Sequence, residues 1–337
     1  MMPDGLTDLI SPGRTMALGD TCTELPVSNV SSGAALHWIE QSSTSATTKS
    51  AKQLRVAFWN AERGQTPEAA ADLLSEAGID LALLCELDNG VLRSHQRHAT
   101  RDIAQGLNAN YLYAVEFIEM ETRDADIRGF HGNAIMSPQA MSDPLLVRFP
   151  EDSAWVSGVG RARRLGGRIA LATRIMLDGT SIVVATTHLE SHAGPDLRAS
   201  QMQALVDALD TYADGRPVLI GGDFNTRTTS KDAMRRTGSR LALQREDCEI
   251  FTQPYHREPL FDVAARAGFD WVSCNQPRPT ERAKPELPDQ PLFRLDWFFS
   301  RGLVCEQPDI LLAETRTGKP LSDHNAITVN IRLPETC

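Results

Sequence analysis

The segment Leu219-Ile220-Gly221-Gly222-Asp223-Phe224-Asn225 combines residue types that chemistry on a polar substrate requires. An apolar run ends at two glycines, which let backbone approach a ligand closely, and a carboxylate and a carboxamide follow. Asp223 and Asn225 are alternate residues, so at a strand end both side chains can face one ligand. The carboxylate can act as a general base, and the amide can hydrogen-bond a developing negative charge. The structural alternative is a strand followed by a Gly-Gly turn and an Asx cap.

Four further segments carry polar residues at the ends of apolar runs. They are Phe58-Trp59-Asn60-Ala61-Glu62, Leu83-Leu84-Cys85-Glu86, Thr186-Thr187-His188-Leu189-Glu190, and the pair Leu295-Asp296-Trp297 with Leu321-Ser322-Asp323-His324-Asn325. In this order the motifs resemble those of the endonuclease/exonuclease/phosphatase superfamily, from about residue 54 to residue 333. That superfamily includes pancreatic-type deoxyribonuclease, apurinic endonucleases, inositol polyphosphate phosphatases and neutral sphingomyelinases. The resemblance implies a four-layer α/β/β/α sandwich with two central mixed, mainly antiparallel sheets, and it specifies no substrate.

The elements around the first two motifs indicate how the polar groups are brought together. Residues 54–59 form a short apolar strand that ends at Asn60, and residues 79–84 form a buried strand that ends at Glu86. A short helix between them makes a strand-helix-strand unit. This unit places both side chains at the same edge of a sheet, where open α/β sheets bind ligands.

The chain divides into an N-terminal segment and one domain. Residues 1–50 lack strong periodicity, and residues 41–50 are rich in Ser and Thr. Such a composition buries too little apolar surface to offset its ordering entropy. We therefore predict a flexible N-terminal extension over residues 1–50, in which only residues 34–40 could dock as a short strand, and a catalytic domain over residues 51–337. Prolines predict that residues 275–291 form a loop.

Composition narrows the class of protein. The net charge of −10 disfavours a protein whose main task is sequence-independent binding of a polyanion. The six cysteines show no CxxC or other metal-binding spacing, which favours reduced, structural thiols. No segment has the apolar length of a secretory signal or of a membrane span, so we predict a cytoplasmic protein. The sequence does not indicate an oligomeric state.

Hydrolysis of a phosphate ester requires a positioned water, neutralisation of charge on the non-bridging phosphoryl oxygens and stabilisation of the leaving group. A hard divalent cation held by carboxylates supplies part of each. Glu86 follows a fully apolar run and is the predicted primary ligand. The resemblance implies that Asn60 and Asp323 complete or support this site. We predict Mg²⁺, with Mn²⁺ as the alternative ion and a position for a second metal near Asp223 and Asn225.

The resemblance also implies roles for the remaining polar residues. His324 contacts the phosphate, and Asp296 accepts the proton on the other ring nitrogen, which fixes the tautomer. Asp223 orients or deprotonates the water, and Asn225 hydrogen-bonds the transition state. His188 shares the phosphoryl charge.

Two more residues are predicted to bind the substrate. Asn133 begins an apolar strand at a position that lines the substrate cleft in many relatives. Arg168 ends the densest basic segment of an acidic chain, residues 161–168, and arginine forks match phosphate oxygens. The alternative for this segment is a solvated loop. His95 and His98 are interpreted as surface or helix-cap residues.

These observations predict a divalent-metal-dependent hydrolase of phosphate esters. It would be a phosphodiesterase or phosphatase for a small molecule, a nucleotide or a lipid headgroup. A magnesium-dependent DNA or RNA nuclease is the less favoured alternative, because the basic segments 161–168 and 235–236 are small. A non-catalytic binding module is the third, and it would be expected to lack one of the chemical groups. All of Glu86, Asp223, Asn225 and His324 are present.

Overall fold

The computed structural model describes residues 16–18, 20–25, 34–42, 51–120, 125–149, 163–231, 240–284, 286 and 288–335. This part of the chain forms two β-sheets that pack face to face, with helices on their outer faces. The predicted four-layer α/β/β/α sandwich is confirmed. Within these ranges, no helix is long and apolar enough to cross a membrane.

The elements are numbered here in chain order. The strands are β1 (Met16–Leu18), β2 (Asp20–Cys22), β3 (Trp38–Gln41), β4 (Gln53–Arg63), β5 (Leu81–Asn89), β6 (Asn110–Glu119), β7 (Phe130–Ser137), β8 (Ser142–Arg148), β9 (Arg164–Gly166), β10 (Ile169–Leu177), β11 (Thr180–His188), β12 (Val218–Asp223), β13 (Asp296–Arg301), β14 (Val304–Leu311) and β15 (Ala326–Arg332). The helices are α1 (Pro67–Glu76), α2 (Ala99–Gly106), α3 (Pro195–Ala213), α4 (Arg240–Glu246), α5 (Glu249–Thr252) and α6 (Leu260–Arg266). Short 3-10 helices cover Ala34–His37, Leu92–Ser94 and Pro254–His256.

Both sheets are mixed and mainly antiparallel. The smaller sheet has the order β1-β8-β10-β11-β12-β13, and the larger has the order β14-β15-β4-β5-β7-β6-β3-β2, with β9 paired to β6. The parallel pairs are β4 with β5, β11 with β12, and β2 with β3. Helix α1 connects the first of these pairs and α3 connects the second. Because parallel strands end at the same edge, each helical crossover sets two strand ends side by side.

The core between the sheets is closely packed. Its apolar side chains include Val56, Phe58, Leu83, Leu219 and Phe298. At Gly221, a Cβ atom would lie 3.0 Å from side-chain atoms of Leu83, Phe298 and Phe58. The close approach that Gly221 allows is therefore between the two sheets, and not between the backbone and a ligand as the sequence suggested.

The N-terminal segment is partly built into the sheets. β3 pairs with β6, and Ile39 and Glu40 are fully buried. β1 pairs with β8 at the edge of the smaller sheet. β3 lies where the sequence allowed a docked strand, whereas β1 adds a strand that the sequence did not foresee. For the rest of residues 1–50, much of which lies outside the described residues, the division into extension and domain stays a prediction.

Glu40 ties this segment to the domain. Its Oε1 accepts a hydrogen bond from Tyr111 Oη at 2.8 Å and lies 2.8 Å from His98 Nε2. His98 also caps α2 by accepting the backbone N–H of Arg101, so its interpretation as a cap is confirmed. Burial favours the neutral acid, but His98, Tyr111 and Arg101 outweigh burial and lower the pKa of Glu40 from 4.5 to about 2.

We expect Glu40→Gln to lower the free energy of unfolding by about 3 kcal/mol near neutral pH. The folded-state pKa lies below the unfolded value. The stabilisation is therefore complete above about pH 4.5 and is lost as the pH falls through about 2. The difference between variant and wild type should shrink by about 1.4 kcal/mol between about pH 6 and pH 3.5. Urea titrations at both pH values measure this, with exposed Glu335→Gln as the matched control. A pH-independent difference would contradict the linkage.

Candidate active site

The polar residues at the strand ends meet at one end of the inter-sheet core. Asp223 lies at the centre, where its Oδ2 accepts a hydrogen bond from Asn60 Nδ2 at 3.1 Å. The same oxygen lies 3.5 Å from His188 Nε2 and 3.8 Å from His324 Nε2. Asn60 Nδ2 also donates to Glu86 Oε1 at 3.0 Å. Five predicted residues, contributed by both sheets, thus surround one point.

Strand geometry places most of these side chains. Asn60 lies two residues after Phe58, which faces the other sheet, so its side chain faces the other sheet too. On the smaller sheet, the register pairs His188 with Asp223 and Asp223 with Asp296. Three neighbouring strands therefore each present one of these side chains at the same edge.

Glu86 reaches the cleft through a bulge. Cys85 belongs to the inter-sheet core, so regular alternation would turn Glu86 to the outer face. The register of β5 with β7 shifts between Leu84 and Leu87, and Glu86 has a φ of 56°. This left-handed conformation is uncommon for a residue with a side chain. The bulge directs the carboxylate into the cleft, where the side chain is 22% exposed.

His324 is held by a buried carboxylate. Its Nδ1 lies 2.8 Å from Oδ2 of Asp296, which accepts the Nδ1 proton and leaves Nε2 directed towards Asp223. Burial disfavours the charged ring, but Asp296 and Asp223 outweigh burial and raise the pKa of His324 well above its ordinary value of 6.5. An imidazolium therefore lies beside Asp223 at neutral pH and offers a charged donor to a phosphate.

The loop predicted over residues 275–291 supports this pair. Thr280 Oγ1 accepts the backbone N–H of Asp296 at 3.1 Å, and its carbonyl oxygen accepts the N–H of Asn325 at 2.8 Å. Thr280 thus joins the strand end that carries Asp296 to the turn that carries His324. The sequence gives no signal for Thr280, because nothing in its local pattern distinguishes it from other threonines in irregular loops.

His188 has a cation as its neighbour. Arg168 Nη1 donates to His188 Nδ1 at 2.8 Å, and the same guanidinium contacts Glu116 at 2.5 Å and Glu190 at 3.4 Å. Burial and then the charge of Arg168 hold the pKa of His188 well below its ordinary value. His188 is therefore neutral. Sequence reasoning missed Glu116, although a carboxylate inside the otherwise buried, apolar β6 is a usable signal.

Asp223 and Asn225 form the central pair expected from the sequence. The pKa of Asp223 is raised to about 6. Burial is the main cause and the charge of Asp296 adds to it, whereas the charge of His324 acts in the opposite direction. The Asn225 backbone N–H donates to Asp223 Oδ1 at 3.0 Å. The Asn225 side-chain Oδ1 accepts from Arg227, and Nδ2 donates one hydrogen to a backbone carbonyl at 3.0 Å. A base that titrates near neutral pH thus lies beside an amide with a second N–H.

Glu62 and Asp323 lie on the Glu86 side of the cleft, near enough for the charges of Asp323 and Glu86 to act on Glu62. Asp323 is exposed, and its backbone N–H donates to Glu62 Oε2 at 2.9 Å. Burial and then the nearby charges of Asp323 and Glu86 raise the pKa of Glu62. A divalent cation would relieve this repulsion, and oxygen donors are those that Mg²⁺ prefers. In this arrangement Asn60 holds Glu86 and Asp223 through its amide nitrogen, which is a supporting contact.

A second cation position is compatible with the geometry of Asp223, Asp296 and His324. Their ligand atoms lie within 4.8 Å of one another, the one such group found in the described ranges. The hydrogen bond between Asp296 and His324 already uses two of these groups. A cation there would have to displace it, so the Glu86 side of the cleft suits the first metal better.

Two predicted substrate contacts lie deeper than the open cleft. Asn133 lies on β7 opposite the bulge that carries Glu86, and it is fully buried. Its Nδ2 donates to a carbonyl of β10 at 3.4 Å, and its contact with substrate stays a prediction. Arg168 is buried and directed towards Glu116, Glu190 and His188. Arg161, Arg235 and Arg236 lie outside the described residues.

A four-layer sandwich with carboxylates, amides and histidines at one end of its inter-sheet core is the architecture of a class of phosphate-ester hydrolases. The chain belongs to the endonuclease/exonuclease/phosphatase family, whose model matches residues 57–324. Members of this family include phosphatases, phosphodiesterases and nucleases.

Individual proteins are similar to this chain in sequence or in fold. Over 209 residues, 61% of its length, the chain is 27% identical to the uncharacterized protein YbhP of Escherichia coli, and it spans 64% of that protein. An endonuclease/exonuclease/phosphatase from Beutenbergia cavernae has a TM-score of 0.58 at 18% identity, over 84% of this chain and 72% of that one. The human nocturnin catalytic domain, solved with bound sulfate, has a TM-score of 0.57 at 16% identity, over 84% of this chain and 94% of that domain.

Proposed function

We propose that the protein hydrolyses phosphate esters of small molecules, nucleotides or lipid headgroups with the help of a divalent cation. The observation that carries the proposal is the position of Asp223, with a pKa of about 6, between a neutral His188 at 3.5 Å and a cationic His324 at 3.8 Å. A base and two donors around one point suit the attack of water on phosphorus.

Glu86, Asp323 and Glu62 would hold Mg²⁺ or Mn²⁺, and Asn60 would orient Glu86. The pKa of Glu62, which is raised by burial and then by the charges of Asp323 and Glu86, supports this choice of residues. When bound, such a cation neutralises charge on the phosphoryl oxygens and on the leaving group.

The protein's own side chains divide the remaining work. Asp223 accepts a proton from the attacking water, because its pKa of about 6 leaves it ionised and basic at neutral pH. His324 donates from Nε2 to a phosphoryl oxygen, and its ring stays oriented by Asp296. The free N–H of Asn225 and the Nε2–H of His188 stabilise the charge that develops on the other oxygens.

The charge around the cleft favours a small substrate. Arg168 and Arg227, the arginines that contact active-site residues His188 and Asn225, are buried in contacts within the protein. A nucleic acid requires a wider basic surface, because several of its phosphates are neutralised on binding. The net charge of −10 agrees with this reading.

A screen with Mg²⁺ and Mn²⁺ tests the proposal. The substrates are phosphate monoesters and diesters of sugars, nucleotides and lipid headgroups, with supercoiled DNA and structured RNA at about 150 mM salt. We expect turnover of a small ester and weak or no cleavage of the nucleic acids. Efficient plasmid cleavage that Glu86→Gln abolishes would replace this proposal with a nuclease. Binding of an ester without turnover by either metal-loaded form would indicate a binding module.

A further inference from the structure

The two active-site histidines have neighbours of opposite charge at Nδ1. A carboxylate, Asp296, faces Nδ1 of His324 at 2.8 Å, whereas a guanidinium, Arg168, faces Nδ1 of His188 at 2.8 Å. Arginine carries only donors, so it can contact a ring nitrogen only where that nitrogen is an unprotonated acceptor. In neutral His188 the hydrogen therefore lies on Nε2, the atom 3.5 Å from Asp223.

We propose that Arg168 is a positioning residue that fixes His188 as the Nε2-protonated tautomer, so that His188 meets the phosphate as a hydrogen-bond donor and not as a base. This assignment rests on the proposed function, but the tautomer itself can be measured without substrate. It also gives Arg168 a role through His188 in place of the direct phosphate contact predicted from the sequence.

Arg168 is itself held so that it cannot turn to a phosphate. Nη1 donates to Glu116 Oε1 at 2.5 Å and Nε donates to Glu190 Oε2 at 3.4 Å, and all three side chains are buried. The backbone at residues 166–167, just before Arg168, packs closely against β6. Gly167 N–H donates to the Glu116 carbonyl at 2.9 Å, and a Cβ at Gly166, whose φ is 122°, would lie 2.4 Å from that oxygen. Releasing the guanidinium would leave two buried carboxylates without their cation.

Removal of Arg168 would leave a different partner for the ring. Glu116 Oε2 lies 3.7 Å from His188 Nδ1 and has no hydrogen-bond partner within the described structure. Without the guanidinium, this carboxylate is an acceptor 3.7 Å from Nδ1, so the ring hydrogen should move to Nδ1. Nε2 would then present a lone pair to Asp223 and to Glu86, which lies 4.0 Å away, and to the oxygens of a phosphate.

Histidine-selective ¹⁵N labelling with long-range ¹H–¹⁵N spectra tests the tautomer in the metal-free and substrate-free protein. The His188 signals are identified by their loss in His188→Asn. We expect an unprotonated Nδ1 and a protonated Nε2 in the wild type, and a shift towards protonated Nδ1 in Arg168→Met. A wild-type ring with Nδ1 protonated would overturn the proposal, even if Arg168→Met does not fold.

Kinetics on the ester found in the screen test the consequence. Arg168→Met should lower kcat by about 10- to 100-fold, and Arg168→Lys, which keeps a donor without an acceptor, should recover most of that loss. His188→Asn keeps an N–H donor and should retain activity within about tenfold, whereas His188→Ala should not. The double variant His188→Ala/Arg168→Met should be close to His188→Ala alone.

Matched controls separate positioning from general damage. Arg316→Met removes an exposed arginine paired with Glu76 and should leave kcat unchanged. Additive losses in the double variant, or His188→Asn as inactive as His188→Ala, would overturn the donor role. If the wild type hydrolyses no ester, the proposed function fails, while the spectra still decide the tautomer.

Discussion

Glu86→Gln is expected to reduce metal-dependent ester hydrolysis by at least about a hundredfold. The substitution removes a ligand charge from the cleft and keeps the size of the side chain and an oxygen for the hydrogen bond from Asn60. Backbone strain at the φ of 56° is the same for both residues. The fold should therefore persist, while the cation would lose the carboxylate proposed as its primary ligand.

Initial rates across a Mg²⁺ titration measure this loss, and thermal unfolding with and without Mg²⁺ measures binding separately. A cation that binds the folded state raises the melting temperature, so the wild type should be stabilised and Glu86→Gln much less. Glu76→Gln, at an exposed ion pair with Arg316, is the matched control. Activity of Glu86→Gln within about twofold of the wild type would contradict the role of Glu86 as a ligand.

The positions of Asn60, His188 and Asp223 could be foreseen because simple strand rules determine them. His188 and Asp223 end the strands of one parallel pair, and Asn60 lies near the end of a strand of the other, so these positions meet at one edge. The sequence predicts Glu86 near this sheet edge, but strict alternation of side chains along β5 would turn it to the outer face of the sheet. A bulge is a property of the pairing between β5 and β7, which one strand's sequence does not contain.

Partners distant in sequence could not be foreseen. Arg168 and Glu116 are 52 residues apart and meet only because β9 pairs with β6. For β3 the sequence allowed a docked strand, but not its partner, because its four residues gain their place by pairing with the distant strand β6. Composition gave no sign of β1, because composition takes no account of the sheet edge at β8 with which this strand pairs.

The second large effect is expected at Asp296 and His324, which should act as one unit. His324→Ala should lower kcat by about 100-fold or more, and Asp296→Asn should have a similar effect, because it removes the carboxylate that orients the ring and keeps it charged. The double variant should cost little more than His324→Ala alone. Steady-state kinetics of the three variants form the cycle, and Asp309→Asn, at an exposed ion pair with Arg278, is the control.

The pH dependence distinguishes this unit from two independent contacts. Asp296 and Asp223 raise the pKa of His324 well above 6.5, so the imidazolium is present below that raised value and is lost as the pH rises through it. Removing the charge of Asp296 lowers this pKa. The alkaline fall in kcat of Asp296→Asn should therefore begin at a lower pH than that of the wild type. Additive losses in the cycle, with an unchanged alkaline limb, would show that Asp296 does not act through His324.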